Sequence, residues 1–329
     1  MGIYINHQGS SSRRDGTDVA DGMLIVDKPG GVTSHDVVAR VRRLLKTRRV
    51  GHTGTLDPFA TGVLVVCLNR ATRLVQFLTG DDKEYIATVR LGYGTDTGDL
   101  TGTALAPAVE ARDISLDSVR AALAHFRGRI SQVPPMYSAK KIGGVRLYEM
   151  ARRGEQVVRQ PVEVQIKELE LLNLFGDPAL GGAAPFHDHA DGTKDFNLRV
   201  VCSSGTYIRT LAEDIGQHLG VGAHLIGLRR TRVGGCDLGR AVTLERLAEL
   251  SEAAAASELL IPMAEAVAMP ELQISETEQR LITQGRAIRR HGTWHEGERI
   301  KLCGANRNLV AVAEYDAQAQ ALQPRIVLV

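Results

Sequence analysis

Apolar and polar positions recur along the first third of the chain with periods that predict short strands and one amphipathic helix. Residues 23–26 form an apolar strand, and after a Lys-Pro-Gly-Gly turn a helix is expected, with Ser34 as its N-cap. A continuous apolar run over 63–68 predicts a buried strand, and alternation over 84–91 predicts a half-buried one. The helix carries one apolar stripe at helical spacing: Val37, Val38, Val41, Leu44 and Leu45. Its opposite face is basic, so the helix buries one side only.

The rest of the chain continues this mixture and then changes character near Pro262. A helix is expected over 115–127, a strand over 162–174, and a strand–turn–helix unit over 197–220. Beyond Pro262, short apolar runs alternate with Gly, Asn and Asp turns. This pattern predicts a compact β-rich region at the C-terminal end.

Segments of biased composition divide the chain into regions. Residues 1–22 are rich in Ser, Gly and Asp and are expected to form a disordered tail. Residues 176–196 are rich in Gly, Ala and Asp and are interpreted as a loop insertion. The expected organisation is therefore a tail, a main domain over 23–260 that contains the insertion, and a small domain over 261–329.

Charge distribution says more about partners than net charge does. The chain of 329 residues carries a formal net charge of only +2, yet residues 40–49, RVRRLLKTRR, hold six cations and no anion. A single cluster of this kind is often a solvated face. Further basic groups recur downstream, for example at 229–232 and 286–290, and this repetition favours a polyanionic partner.

The N-terminal stretch has no apolar core of a secretory signal, and the apolar runs are too short to span a bilayer. The four cysteines are far apart in the sequence: Cys67, Cys202, Cys236 and Cys303. That spacing is typical of thiols in a reducing compartment. We therefore expect a cytoplasmic protein without a membrane segment.

Several kinds of enzyme are disfavoured because their motifs are missing. The sequence contains no P-loop, no G-x-S-x-G nucleophile elbow and no H-E-x-x-H. The triplet HDH at 187–189 could bind a metal, but it lies in the predicted insertion, and a solvated loop is the favoured interpretation.

One carboxylate remains of interest. Asp57 lies in GHTGTLDPFATGVL, a Gly- and Thr-rich turn that leads into an apolar run. Its side chain is expected to be ionised at neutral pH. Composition alone favours an Asx turn, in which the carboxylate only caps the local backbone.

The segment around Asp57 also resembles the catalytic motif of the TruB family of tRNA pseudouridine synthases. Further segments resemble that family in the same order along the chain: LIVDKPGGVTSHDVV, KEYIATVRLGYGTDTGD, QVPPMYSAKKIGGVRLYEMAR, CSSGTYIRTLAEDIG and GAHLIGLRRTRVG. The resemblance covers about residues 23–235. The C-terminal region is similar in length and in its pattern of short apolar runs and turns to a PUA-type RNA-binding domain. It implies an α+β pseudouridine-synthase fold, with a mixed, largely antiparallel central sheet, flanking helices and a small PUA-like domain.

The resemblance implies a reaction as well. The T-loop uridine at position 55 of tRNA would be flipped out and isomerised to pseudouridine, without a metal or another cofactor. Asp57 would be the nucleophile, attacking either C6 of the ring or C1′ of the sugar.

Five further residues acquire roles from the same resemblance. Tyr85 would stack on the target base, and Tyr207 would be a second tyrosine of the pocket. Arg209 would pair with the catalytic carboxylate, and Leu228 would line the uracil pocket. His52 would fill the space that the flipped base leaves.

Each of these residues also has a plain alternative when it is considered alone. Tyr85 could be an ordinary strand tyrosine, Leu228 a core leucine and His52 a loop histidine. Arg209 could form an exposed ion pair with Glu213, four residues later on a helix, and spacing alone leaves the two interpretations equal.

The expected partner is tRNA, through its T-arm, and we expect a monomer that needs no protein partner. Two other functions stay open. One is a non-catalytic RNA-binding or RNA-chaperone protein, and the other is a homologous synthase that modifies a different RNA.

Overall fold

The computed structural model describes residues 20–138, 140–155, 157–175, 184–250 and 257–329. The predicted tail over 1–22 lies outside these residues except at its end, where the prediction of disorder is wrong. Gly22 begins the first strand, and the Asp21 carboxylate accepts the Arg70 backbone N–H at 2.8 Å.

The larger of the two main sheets is mixed and mostly antiparallel. Within the described residues it contains ten strands: β1 (Gly22–Lys28), β2 (Val50–His52), β3 (Thr61–Leu68), β4 (Lys83–Leu91), β5 (Gly128–Gln132), β8 (Val162–Leu172), β9 (Phe186–Asp188), β10 (Lys194–Cys202), β11 (Ala223–Val233) and β12 (Cys236–Asp237). The main path runs β1-β3-β11-β4-β10-β8-β5, and β2, β9 and β12 pair with β3, β10 and β11. A separate hairpin joins β6 (Lys141–Ile142) to β7 (Val145–Arg146). The predicted sheet is confirmed.

Only β3 and β11 pair in parallel in this sheet as far as it is described, with Arg229 and Arg230 opposite Thr61 and Gly62. This pair places the strand after the Asp57 loop beside a strand whose paired residues lie 168 positions later in the chain.

The predicted insertion over 176–196 needs a correction. Residues 176–183 lie outside the described residues. The remainder is not a plain loop, because β9 and the first residues of β10 fall within it. His187 pairs with Asp195 across these two strands.

The helices are short and lie against the sheets: α1 (Ser34–Leu44), α2 (Val75–Leu78), α3 (Leu116–His125), α4 (Leu147–Arg152), α5 (Ile208–His218), α6 (Leu244–Glu249), α7 (Met263–Ala266) and α8 (Glu276–Thr283), with 3₁₀ turns at Asn69–Leu74 and Leu238–Arg240. The helix predicted over 115–127 is confirmed as α3. The predicted cap of α1 is wrong: Thr33 is the N-cap, in a capping box with Asp36, and Ser34 is the first helical residue.

Apolar clusters on the two faces of the large sheet fix the helices. The apolar stripe of α1 packs on β1 and β3, where Val37 and Val41 join Leu24 and Leu64 in one buried cluster. On β4 the odd-numbered residues are buried and the even-numbered ones are partly exposed, which confirms the predicted alternation. The buried row shares a second cluster with α5.

The C-terminal residues form a second sheet of five strands: β13 (Glu271–Gln273), β14 (Ile288–Arg289), β15 (Arg299–Cys303), β16 (Leu309–Asp316) and β17 (Ala321–Val327). Their order is β13-β15-β16-β17-β14, with β13 parallel to β15. Ile261 still bridges to Met23 of β1, so the connection begins on the large sheet. The domain boundary at 261 stays a prediction. No helix among the described residues is long and apolar enough to cross a membrane.

Candidate active site

A cleft of about 270 Å³ opens where the 53–57 loop, β4, β11 and the start of α5 meet. Five of the six predicted site residues line it: Asp57, Tyr85, Tyr207, Arg209 and Leu228. They come from four separate parts of the chain, so the fold alone brings them together.

The loop that carries Asp57 is held from both sides. Ser34, the first residue of α1, accepts the Leu56 N–H through its hydroxyl oxygen at 2.9 Å and lies 3.2 Å from the Leu56 carbonyl. The Pro58 carbonyl accepts from Gly31 N–H at 2.8 Å, and the Asp57 carbonyl accepts from Ala60 N–H at 3.1 Å. The backbone therefore closes its own turn without the Asp57 carboxylate.

That carboxylate binds Arg209 instead. Arg209 Nε lies 2.9 Å from Asp57 Oδ2, and Nη2 donates to Oδ1 at 3.1 Å. The Arg209 side chain is 6% exposed and the Asp57 side chain 31% exposed. Such a two-point contact fixes the plane of the carboxylate as well as its position. The Asx-turn interpretation of Asp57 is wrong.

Arg209 is itself anchored by two loops. Nη1 donates to the Thr97 carbonyl at 2.8 Å, and Nη2 donates to the Tyr137 carbonyl at 2.7 Å. Asp99 lies 3.7 Å from Nη1. The alternative ion pair with Glu213 does not form, and burial raises the pKa of Glu213 to about 7.

Two opposing effects set the protonation of Asp57. Burial raises the pKa of its carboxyl above the ordinary value, and Asp99 adds to this rise. Arg209 lowers the pKa again, both by its charge and by its hydrogen bonds. Arg209 therefore supports the ionised form that a nucleophile requires.

Tyr85 and Leu228 form neighbouring parts of the cleft wall. They lie on adjacent antiparallel strands, with Tyr85 opposite Arg230 and Leu228 opposite Ala87. Each is 8% exposed. Burial raises the pKa of the Tyr85 hydroxyl, so the phenol is neutral near pH 7. The two side chains offer an aromatic and an aliphatic surface to a flat, uncharged ligand.

Tyr207 precedes α5 and is fixed through its backbone. Its N–H donates to Gln132 Oε1 at 3.0 Å, and its carbonyl accepts from Gln132 Nε2 at 3.2 Å. Its side chain is partly buried. The buried Gln132 thus holds the start of the helix that carries Arg209.

His52 is the one predicted site residue that does not line the cleft. It ends β2 and packs edge-to-face on His35, with 5.6 Å between ring centroids. Burial lowers the pKa of its imidazole, and His35 adds to the effect, so the ring is neutral near pH 7. Its role beside a flipped base stays a prediction.

Comparison with known proteins gives the family. The profile of the TruB family pseudouridylate synthase N-terminal domain matches residues 42–208. The chain belongs to the TruB family. The profile of the tRNA pseudouridylate synthase B C-terminal domain matches residues 209–268, so the border between the two profiles falls inside α5, which packs against the large sheet.

Relatives within this family match most of the chain. A protein of Leifsonia xyli named tRNA pseudouridine synthase B is 43% identical over 303 residues, covering 90% of this chain and 93% of the relative. A protein of the same name from Thermobifida fusca is 45% identical over 298 residues, covering 90% and 95%. The family resemblance seen in the motifs is confirmed.

Solved structures agree with the fold. A chain from a Cbf5-Nop10-Gar1 complex superposes with a TM-score of 0.70 at 28% identity, covering 94% of this chain and 85% of that chain. A chain from an H/ACA RNP bound to a substrate RNA containing 2′-deoxyuridine gives 0.68 at 26% identity, with the same coverages. The predicted pseudouridine-synthase fold is thereby confirmed.

Sequence reasoning missed Arg230 in this TruB family site. It belongs to the basic cluster at 229–232, where the sequence predicts either a solvated face or a contact with a polyanionic partner, yet it is 2% exposed. Its guanidinium donates to the carbonyls of Val63 at 2.7 Å, Gly54 at 3.0 Å and Thr55 at 3.4 Å. Arg230 therefore ties the backbone just before Asp57 to the adjacent strand.

Lys28 is a second buried cation behind the Asp57 loop. It is fully buried and donates to the carbonyls of Pro29, Val32 and Pro58 at 2.7–3.2 Å. Burial lowers the pKa of its ammonium to about 8. The contacts make Lys28 a structural support of the loop.

Basic side chains outnumber acidic ones in the described lining of the cleft. Among its described lining residues, four are cations and one is a carboxylate: Lys83, Lys140, Arg209, Arg230 and Asp57. Arg209 neutralises Asp57, and the remaining positive charge favours ligands with electron-rich oxygens.

The HDH triplet takes no part in this site. His189 Nε2 lies 2.7 Å from Asp195 Oδ2, and Arg90 donates to both oxygens of the same carboxylate at 2.7 and 2.8 Å. These contacts explain His189 as part of an ion-pair network beside β10.

Proposed function

We propose that this TruB family protein isomerises the T-loop uridine at position 55 of tRNA to pseudouridine, with Asp57 as the nucleophile on an extruded base. The substrate class follows from relatives that are named tRNA pseudouridine synthase B at 41–47% identity. The observation that carries the proposal is the Asp57–Arg209 pair, which lies in one cleft with Tyr85 and Leu228.

In the proposed reaction the Asp57 carboxylate attacks either C6 of the uracil or C1′ of the ribose. The bond from N1 to C1′ breaks, the uracil turns within the cleft, and C5 bonds to C1′. The bond that the Asp57 oxygen formed breaks again, at C1′ when C5 bonds there or at C6 by elimination. C5 loses a proton and N1 gains one, so Asp57 is regenerated and product and substrate have the same composition. Both routes need an ionised and oriented carboxylate, which Arg209 supports.

The base has to leave its stack before Asp57 can reach it. Extrusion costs a few kcal/mol, which contacts in the pocket must offset. Tyr85 would stack on the ring, while Leu228 and Tyr207 would complete the wall. His52, at the end of β2 and outside the cleft, would occupy the space that the base vacates.

Basic surfaces account for affinity toward RNA. The exposed face of α1 and the residues after it carry a continuous set of cations: Arg40, Arg42, Arg43, Lys46, Arg48 and Arg49. Strand β2 connects the same segment to the Asp57 loop. Cations in this place would contact phosphates next to the flipped nucleotide, with an affinity that falls as salt rises.

We infer a cytoplasmic, monomeric enzyme that acts on tRNA without a protein partner. The relatives named as tRNA enzymes are 41–47% identical, whereas the chains from Cbf5 complexes are 26–28% identical. This difference favours the tRNA enzyme over a synthase that works within a multiprotein complex.

The reaction can be tested by release of label from tRNA that carries 5-tritiated uridine, because the new bond to C5 displaces that hydrogen. The wild-type protein should release label from both an intact tRNA and an isolated T-arm stem-loop. Asp57→Asn should bind tRNA with wild-type affinity and release none. Its matched control is Asp117→Asn, on α3 with a side chain 93% exposed, which should react like the wild type.

The assay tests the proposed reaction and the proposed nucleophile independently of each other. If the wild-type protein releases no label from any tRNA, the proposed reaction is wrong. If Asp57→Asn still releases label at the wild-type rate, the reaction stands and the assignment of the nucleophile is wrong.

A further inference from the structure

Lys83 is a buried cation in the cleft that has no part in the proposed roles so far. It begins β4, two residues before Tyr85, so both side chains point to the same face of the strand. It is 7% exposed and lines the cleft together with Tyr85 and Arg230. Its position is thus beside the proposed stacking surface.

Among the described residues, the Lys83 ammonium has fewer hydrogen-bond acceptors than N–H groups. Its ammonium donates to the carbonyls of Thr79 and Asp81, two acceptors for three N–H groups. No carboxylate of the described chain forms a salt bridge with it. Buried lysines are normally paired, because an unpaired charge away from water is costly.

Two other buried lysines show the usual arrangement. Lys28 has three carbonyl acceptors, one for each N–H group. Lys194 has two carbonyl acceptors at 2.6 and 2.8 Å and a carboxylate, Asp188, at 3.5 Å. Neither lines the cleft. Lys83 combines a spare donor with a place in the site.

The two buried arginines of the cleft are already engaged. Arg209 donates to Asp57 and to two backbone carbonyls, and Arg230 donates to three backbone carbonyls. Lys83 is therefore the buried cation of the described cleft best able to bind a ligand oxygen.

We propose that the Lys83 ammonium donates a hydrogen bond to a carbonyl oxygen of the extruded pyrimidine and stabilises the negative charge that develops there. The inference rests on the proposed function. When the N1–C1′ bond breaks, its electron pair stays with the uracil and spreads onto the ring carbonyls. The anion later uses this electron density at C5 to form the C5–C1′ bond, which makes the ring neutral and displaces Asp57 if it was bound at C1′. C5 then loses its proton and N1 gains one, with no further change of charge. A fixed cation next to these oxygens lowers the barrier to bond cleavage.

The test uses full-length variants in single-turnover reactions with saturating enzyme. Lys83→Met removes the charge at similar length, and Lys83→Gln also removes it but keeps an N–H donor for the loop carbonyls. Both should bind tRNA within about twofold of the wild type and release label roughly 100-fold more slowly. Lys83→Arg, which keeps the charge, should recover most of that rate. The control Lys194→Met removes a buried lysine outside the cleft and should keep the wild-type rate.

A substrate with a more stable leaving group distinguishes stabilisation of charge by Lys83 from a purely structural role of that residue. With 5-fluorouridine at the target position the departing pyrimidine anion is more stable, and its cleavage is followed as loss of the nucleoside after digestion. The ratio of the wild-type rate to the Lys83→Gln rate should then be at least about tenfold smaller with 5-fluorouridine than with uridine. An equal defect with both substrates, or a folded Lys83→Gln protein that reacts at the wild-type rate, would overturn the inference. If the wild-type protein itself is inactive, the proposed function fails instead.

Discussion

Arg209 donates hydrogen bonds in two directions, to the Asp57 carboxylate and to the backbone of two loops. Its contacts with Thr97 and Tyr137 fix the guanidinium before any substrate binds. Because the side chain is 6% exposed, water does not compete for these bonds. A lysine could supply the charge but not the planar contact with both carboxylate oxygens.

This pair predicts a pH dependence. Arg209 lowers the pKa of Asp57, whereas burial and Asp99 raise it. The reactive form is ionised, so the rate falls as pH drops through the pKa of Asp57. In Arg209→Gln the opposing cation is lost, the pKa rises further, and the acidic limb of the rate profile should move to higher pH. Single-turnover label release from pH 4 to 8 measures the limb, and a shift to lower pH would contradict the assignment.

At the scale of elements, the first turn of α1 has two separate tasks. Thr33 caps the helix, accepting the Asp36 N–H through its hydroxyl oxygen at 3.1 Å on an exposed surface. Ser34, the next residue, points inward and binds both backbone groups of Leu56, directly before Asp57. Helix stability and loop position thus depend on neighbouring residues with different side-chain directions.

These two residues should give different phenotypes. Thr33→Ala removes a cap, which costs about 1 kcal/mol of unfolding free energy, and should leave the rate of the bound complex unchanged. Ser34→Ala leaves the buried Leu56 N–H unpaired, at a cost of about 1–3 kcal/mol, and frees the loop. Its single-turnover rate should fall about tenfold as Asp57 loses its position. Urea unfolding and label release measure both effects, and equal rates in the two variants would disprove the division of tasks.

The same turn shows what sequence can predict here. The stripe of α1 and the alternation of β4 follow from local periodicity, and both are present in the structure. The role of Ser34 cannot be predicted from local periodicity, because its partner Leu56 lies 22 residues away and only the fold brings the two together. The burial of Arg230 cannot be predicted for the same reason, because nothing in LRRTR shows which arginine faces inward until β11 pairs with β3.

At the scale of the molecule, the two main sheets share one apolar cluster. Met23 and Cys67 of the large sheet are buried in it together with Leu309 and Ile326 of the small one. Arg299 also lies over the Phe77 ring, 5.1 Å from its centroid. Removing the small domain would expose this cluster and destabilise the large sheet. A loss of RNA binding by the truncated protein could then come from reduced stability instead of lost RNA contacts.

Charge reversal in the full chain tests the small domain without that problem. Arg289 ends β14 and Arg286 lies two residues before that strand, and both are exposed. We expect each to contact a tRNA phosphate. Arg286→Glu and Arg289→Glu should each weaken tRNA binding severalfold and reduce the slope of log affinity against log salt by about 1. The rate within the bound complex should stay within about twofold, because neither residue lines the cleft. Arg120→Glu, on α3 with a side chain 64% exposed, is the matched control for a general change in charge. Equal affinity and salt slope in all three variants would remove the small domain from the tRNA-binding surface.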